Sequence, residues 1–137
     1  MNATDTLDTQ LDANTPDIGE LVNRLQALFD ARSLPPMLFQ SFAMAFDEVI
    51  SNIAAYGCPH DPIRVHVAIG ESEVRAEVVD DGVAFDPLQL PEPDVTSSLD
   101  ERAIGGLGVY LVRKMMDGVE YERRDRFNRL SFWKRIA

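Results

Sequence analysis

The sequence predicts an α+β domain, a two-layer sandwich with helices packed on one face of a mostly antiparallel sheet. Three observations carry this expectation. Residues 17–56 hold apolar side chains at helical spacing, while residues 63–79 alternate between apolar and polar. The third is the order of segments: helix, helix, hairpin, loop, helix, hairpin.

Each element has its own signal. Residues 1–16 are rich in Asp, Thr and Asn, and are expected either to fray or to hold one edge strand near residues 7–11. A single domain is expected to follow over residues 17–137. Its first helix, over 17–31, is marked by Ile18, Leu21, Val22, Leu25 and Leu28, with Asp17 as N-cap. Pro35 and Pro36 end that helix and start the next, which runs to about residue 56 and stops at Gly57 and Pro59. At about 100° per residue, Phe39, Phe42, Ala43, Phe46, Val49, Ile50 and Ile53 share one arc of the second helix. Gln40, Asp47 and Ser51 face the other way, toward water.

Two strands follow. Ile63, Val65, Val67 and Ile69 line one face of the first, and Val74, Ala76 and Val78 one face of the second, with a turn at Gly70, Glu71 and Ser72. Asp81 and Gly82 break the pattern. The aperiodic stretch beyond them contains Pro87, Pro91 and Pro93, and a loop of that length within a domain is functional or disordered. After Gly105 and Gly106, a third helix carries Leu107, Leu111, Val112, Met115 and Met116 on one stripe. Two closing strands are expected over 119–121 and 130–133, around a charged turn near Asp125.

Composition narrows the function. The chain has 137 residues, 45% of them apolar, which is room for one core. No apolar run approaches membrane length, and the opening residues lack a signal-peptide pattern, so no membrane partner and a cytoplasmic location are expected. Cys58 is the only cysteine, which rules out an internal disulfide. The net charge of −10 divides into −14 over residues 1–100 and +4 over 101–137. An acidic body repels a phosphate backbone, and direct nucleic-acid binding is not expected.

Three places carry chemistry. Glu48 and Asn52 stack four apart on the second helix, on the margin between its core arc and Ser41, where a carboxylate and an amide face a partly dry space. Spacing alone also allows a stacked surface pair. Asp80 continues the core face of Val74, Ala76 and Val78, where a carboxylate needs a donor, such as a ligand amine. The alternative is that Asp80 only caps a turn. Gly105, Gly106, Leu107 and Gly108 lead directly into a helix, whose free N–H groups suit phosphates; the alternative is a hinge. This is neither a P-loop nor a dinucleotide fingerprint. A Cys58, His60 and Asp61 metal cluster is a further, weaker candidate. Neither His60 nor His66 neighbours a nucleophile for serine–histidine catalysis.

Taken in order, these segments resemble the boxes of the GHKL ATP-binding superfamily. Glu48 to Asn52 is similar to its N box, residues 79–87 (Val-Asp-Asp-Gly-Val-Ala-Phe-Asp-Pro) to its first glycine box, and residues 105–112 (Gly-Gly-Leu-Gly-Val-Tyr-Leu-Val) to its second. The resemblance covers about residues 17–135. Within the superfamily the chain is similar to the stand-alone anti-sigma-factor serine/threonine-protein kinases of the RsbW type.

The resemblance implies a Bergerat-type fold binding ATP and Mg²⁺. Asn52 would hold the metal ion, and Glu48 would act as the catalytic base toward a serine or threonine of a partner. Asp80 would take the adenine amine, with Gly82 and Ala84 beside the base. Gly105, Gly106, Leu107 and Gly108 would place backbone N–H groups on the phosphates, under a lid over about residues 86–104. The implied partners are an antagonist with a STAS domain, which is the substrate, and a sigma factor or similar regulator that the kinase sequesters; the resemblance also implies a homodimer. Two positions depart from the pattern: Ala84 stands where many members have a second glycine, and Ile104–Gly105 stands where the sporulation kinases of the branch carry an arginine. The second departure leaves open a nucleotide-binding module that sequesters partners without phosphorylating them.

Overall fold

The hydrophobic pattern becomes helices and strands as follows in the computed structural model, which describes residues 5–84 and 112–136. Helix α1 spans Ile18–Ala31, and the carboxylate of Asp17 accepts the N–H of Glu20 at 2.9 Å, satisfying a free donor of its first turn. Leu21, Leu25 and Phe29 are its buried stripe. Helix α2 spans Pro36–Asn52, opening on a proline that has no N–H to lose there. It continues into a turn of π type, Ile53–Gly57, and stops where Cys58 adopts a left-handed φ of 51°.

The core face of α2 differs from the expected arc in one respect. Leu38 and Ala45 are buried, while Phe39, Ala43 and Ile53 are only half-buried. The reason is that α2 packs against two layers at once. Phe42 meets Phe29 of α1 edge-on at 5.8 Å, and lies 5.9 Å from Phe132 on the sheet. A helix wedged in this way needs a wider apolar arc than one resting on a single surface. Phe46, 5.3 Å from Phe132, completes the aromatic stack.

The sheet has the order β1-β2-β3-β5-β4, with every neighbouring pair antiparallel. Its strands are β1 (Asp5–Leu11), β2 (Ile63–Ile69), β3 (Glu73–Asp80), β4 (Gly118–Arg124) and β5 (Phe127–Arg135). Gly70 closes the β2–β3 hairpin by donating to the carbonyl of Glu73 at 2.9 Å. The last two strands are longer than their apolar cores suggest, because charged residues extend both around the turn at Asp125. Leu7, Leu11, Ile63, Val65, Val67, Ile69, Val74, Ala76, Val78 and Phe132 are buried. Each of these side chains larger than alanine contributes about 1.5–3 kcal/mol on burial. Residues 112–115 are helical, and Val112 and Met116 join the same core.

The opposite sheet face carries alternating charge. Arg75 pairs with Glu120 at 3.2 Å and lies 4.2 Å from the ring centre of Trp133; Arg129 lies between Glu77 and Glu122. Trp133 itself covers Gly118, where a Cβ would sit 2.1 Å from the indole. A depression of about 620 Å³ on this face is lined by both signs of charge, including Asp8, Arg64, Glu77 and Arg129. Glu48, Asn52, Asp80, Gly82 and Ala84 do not line it. Among the described residues, no helix is long and apolar enough to cross a membrane.

Candidate functional site

Asp80 is the last residue of β3, and strand alternation places it on the helix-facing side after Val74, Ala76 and Val78. It is 5% exposed. Its Oδ1 accepts the N–H of Gly82 at 2.8 Å and the amide of Asn128 at 3.1 Å. The inward carboxylate and the turn cap are therefore the same residue. Oδ2 accepts no hydrogen bond from the described residues. Burial raises the Asp80 carboxyl above its ordinary value, and the Asp81 charge adds to this; the bonds from Asn128 and Gly82 and the nearby Arg123 pull the other way.

Asp81 serves the loop instead. Its carboxylate accepts the N–H groups of His60 at 2.8 Å and Asp61 at 3.1 Å. Slight burial works to raise its pKa, but those N–H bonds outweigh it and hold the group below the ordinary value. Asp61 also pairs with Arg126 at 3.2 Å. Among the described residues no group of three His, Cys, Asp or Glu side chains converges on a metal-sized space, so Cys58, His60 and Asp61 form no cluster.

Glu48 and Asn52 sit where α2 leaves the core, both half-buried, between buried Val49 and exposed Asp47 and Ser51. The amide Nδ2 of Asn52 is buried and has no hydrogen-bond partner among the described residues. A buried amide of this kind costs about 1–3 kcal/mol when unpaired, so its presence here calls for a partner beyond the described residues. Asn52 immediately precedes the π-type turn, and the end of that turn meets the Asp80 turn directly. The N–H of Val83 donates to the carbonyl of Gly57 at 2.8 Å. A Cβ on Gly82 would lie 2.4 Å from the same carbonyl and 2.9 Å from Asp80 Oδ1. Helix end and acidic turn thus approach as closely as backbones can, and glycine is required for this packing whatever the ligand.

Sequence reasoning missed Asn128, Arg123 and Tyr121. Asn128 is paired in register with Asp80, is 6% exposed, and bonds both sides of the turn. Its amide nitrogen donates to Asp80 and to the carbonyl of Val83 at 2.9 Å, and its amide oxygen accepts from Tyr121 and Arg123. The available signal was alternation: Asn128 shares the inward face of Leu130 and Phe132, where a polar residue calls for an explanation. Ala84 is exposed at the limit of the described segment. Gly105, Gly106, Leu107 and Gly108, and the expected lid over residues 86–104, lie outside the described residues.

The α+β sandwich thus carries a buried aspartate at the end of β3 and, at the end of α2, an asparagine whose amide nitrogen has no partner among the described residues. Residues 11–134 match the Histidine kinase-like ATPase domain family, and the chain belongs to that family, within the GHKL superfamily and its RsbW-type branch. It is 32% identical over 100 residues to the serine/threonine-protein kinase BtrW of Bordetella bronchiseptica, covering 71% of this chain and 70% of that protein. Its fold is similar to the crystal structure of the RsbU and RsbW domains of Rv1364c from Mycobacterium tuberculosis, with a TM-score of 0.71 and 17% identity. That match covers 97% of this chain and 33% of the larger one.

Proposed function

We propose that the chain is an ATP-dependent serine/threonine-protein kinase that acts in partner switching in the cytoplasm. It phosphorylates a serine or threonine of an antagonist with a STAS-type fold, and sequesters a sigma factor or similar regulator, working as a homodimer. The observation that carries this reading is the buried amide nitrogen of Asn52 at the end of α2, which has no partner among the described residues. Kinship with a named serine/threonine kinase supports the reaction type.

The residues fit a nucleotide with its cation. Asp80 Oδ2, which accepts no hydrogen bond from the described residues, would take a base amine, and the Asn52 side chain would turn its amide oxygen to a Mg²⁺ ion. Bound Mg²⁺ offsets the charge of the phosphates. Gly105, Gly106, Leu107 and Gly108 are assigned to the phosphates and Ala84 to the rim of the base site. Glu48 orients the incoming hydroxyl and takes its proton. The hydroxyl oxygen accepts the γ-phosphoryl group, the bond to the β-phosphate breaks, and ADP leaves.

Titration calorimetry with ATP, with and without Mg²⁺, tests the pocket. Magnesium-dependent binding by the wild type and none by Asp80→Asn is the expected result. Absence of binding at millimolar nucleotide overturns the kinase reading and leaves a partner-sequestering module.

A further inference from the structure

The sequence boxes contain no residue of the last two strands, yet the most heavily bonded side chain near Asp80 comes from β5. Asn128 spends all its hydrogen-bonding capacity on the acidic turn. Its Nδ2 faces three acceptors: Val83 O at 2.9 Å, Asp80 Oδ1 at 3.1 Å and Gly82 O at 3.4 Å. Its Oδ1 faces two donors, the Tyr121 hydroxyl and Arg123 Nη1 at 3.1 Å. Turning the amide over would set nitrogen against donors and oxygen against acceptors, so the network admits one orientation. Arg123 Nη1 also donates to Gly82 O at 2.8 Å, closing a ring of bonds through both strands and the turn.

This ring has a consequence for Asp80. With Oδ1 held by both Gly82 and Asn128, the carboxylate cannot rotate without breaking two bonds at a site 5% exposed. Oδ2 is then a single acceptor in a set direction. We propose that Asn128 is a positioning residue for base recognition, locking Asp80 so that Oδ2 accepts from the exocyclic amine of an adenine nucleotide. The proposal rests on the nucleotide reading above, and extends it to a residue outside the three boxes. Tyr121 and Arg123 act one step further back, by holding the Asn128 amide.

The arrangement also explains why an asparagine suits this place. An aspartate would set a second carboxylate against Asp80, and an aliphatic residue would leave Oδ1, two carbonyls, a hydroxyl and a guanidinium short of a partner. The amide supplies donor and acceptor together. Burial raises the Asp80 carboxyl, and the Asn128 bond is the strongest influence opposing it, so losing the amide favours the neutral acid, which is a poorer acceptor.

The test compares two ligands on the full chain by titration calorimetry: Mg–ATP, and the Mg complex of purine riboside triphosphate, which lacks the 6-amino group. A hydrogen bond to a charged group sets the expected preference of the wild type for ATP at about tenfold or more. In Asn128→Ala the two affinities should converge to within about threefold, with binding of the purine analogue unchanged. A merely structural role would weaken both ligands alike. Tyr121→Phe should lose part of the preference, because the amide is then held by Arg123 alone. Retention of the wild-type preference in Asn128→Ala overturns the proposal. If that variant gives no cooperative melt, Tyr121→Phe decides, and an unchanged preference there overturns it. A wild type that binds both ligands equally well instead overturns the assignment of Asp80 to the base amine.

Discussion

Val83 donates its backbone N–H to the carbonyl of Gly57 at 2.8 Å, joining the turn that follows Asp80 to the helical end that follows Asn52. Two residues proposed for opposite ends of one ligand are thereby tied through a single backbone bond. Gly82 makes the contact possible, since no side chain fits between it and Gly57.

Gly82→Ala tests that contact. Its Cβ meets a backbone oxygen at 2.4 Å, and backbone yields less readily than a side-chain tip. The expected cost is about 1–3 kcal/mol in denaturant unfolding, with ATP binding weakened in step. Unchanged stability would show that the helix end and the turn move independently.

Asp80→Asn separates stability from function. The folded protein raises the Asp80 carboxyl above its ordinary value of 3.8, so it binds the proton more tightly than the unfolded chain does. This group's contribution to stability is therefore present below the unfolded value and lost as pH rises through the higher folded one. The asparagine can keep the bonds from Gly82 and Asn128 without the buried charge. Thermal unfolding at neutral pH should show the variant at least as stable as wild type, with the gap closing as pH falls toward 4, while ATP affinity is lost. A variant clearly less stable at pH 7 would contradict this account.

Asn52→Ala follows the same logic at the other end. A buried amide nitrogen with no partner among the described residues carries a cost, so the variant should be no less stable than wild type and more stable by up to about 1–3 kcal/mol. Magnesium should no longer strengthen ATP binding, and phosphoryl transfer should cease. The comparison is one of calorimetric titrations with and without Mg²⁺.

Glu48→Ala should leave both stability and nucleotide affinity near wild type, because the side chain is half-buried at the margin of α2. Loss of a general base lowers the rate of transfer by about 10²–10⁴-fold. A full rate in single-turnover transfer from labelled ATP would remove Glu48 from the catalytic role.

Phe42→Ala probes the core that supports the site. Phe42 bridges Phe29 of α1 and Phe132 of β5 and has no exposure. Its truncation should cost about 3–5 kcal/mol, read as a lower urea midpoint with an unchanged slope. An effect under about 1 kcal/mol would mean that the layers close around the gap.

The sequence by itself determined what depends on neighbours along the chain. Helical spacing of Ile18, Leu21, Val22, Leu25 and Leu28 defined α1, alternation defined β2 and β3, and the same alternation turned Asp80 inward, because side-chain direction in a strand follows from parity alone. The four-residue stacking of Glu48 on Asn52 was legible for the same reason. Tertiary structure decided what depends on register and approach. The pairing of Asp80 with Asn128 is a property of β3 lying beside β5, and the chain between them carries no periodic signal that sets it. The need for glycine at residue 82 arises from the carbonyl of Gly57, and only the packed layers bury the Asn52 amide nitrogen away from any partner among the described residues. Local pattern specifies the direction a side chain takes, but only the packed layers specify what it meets there.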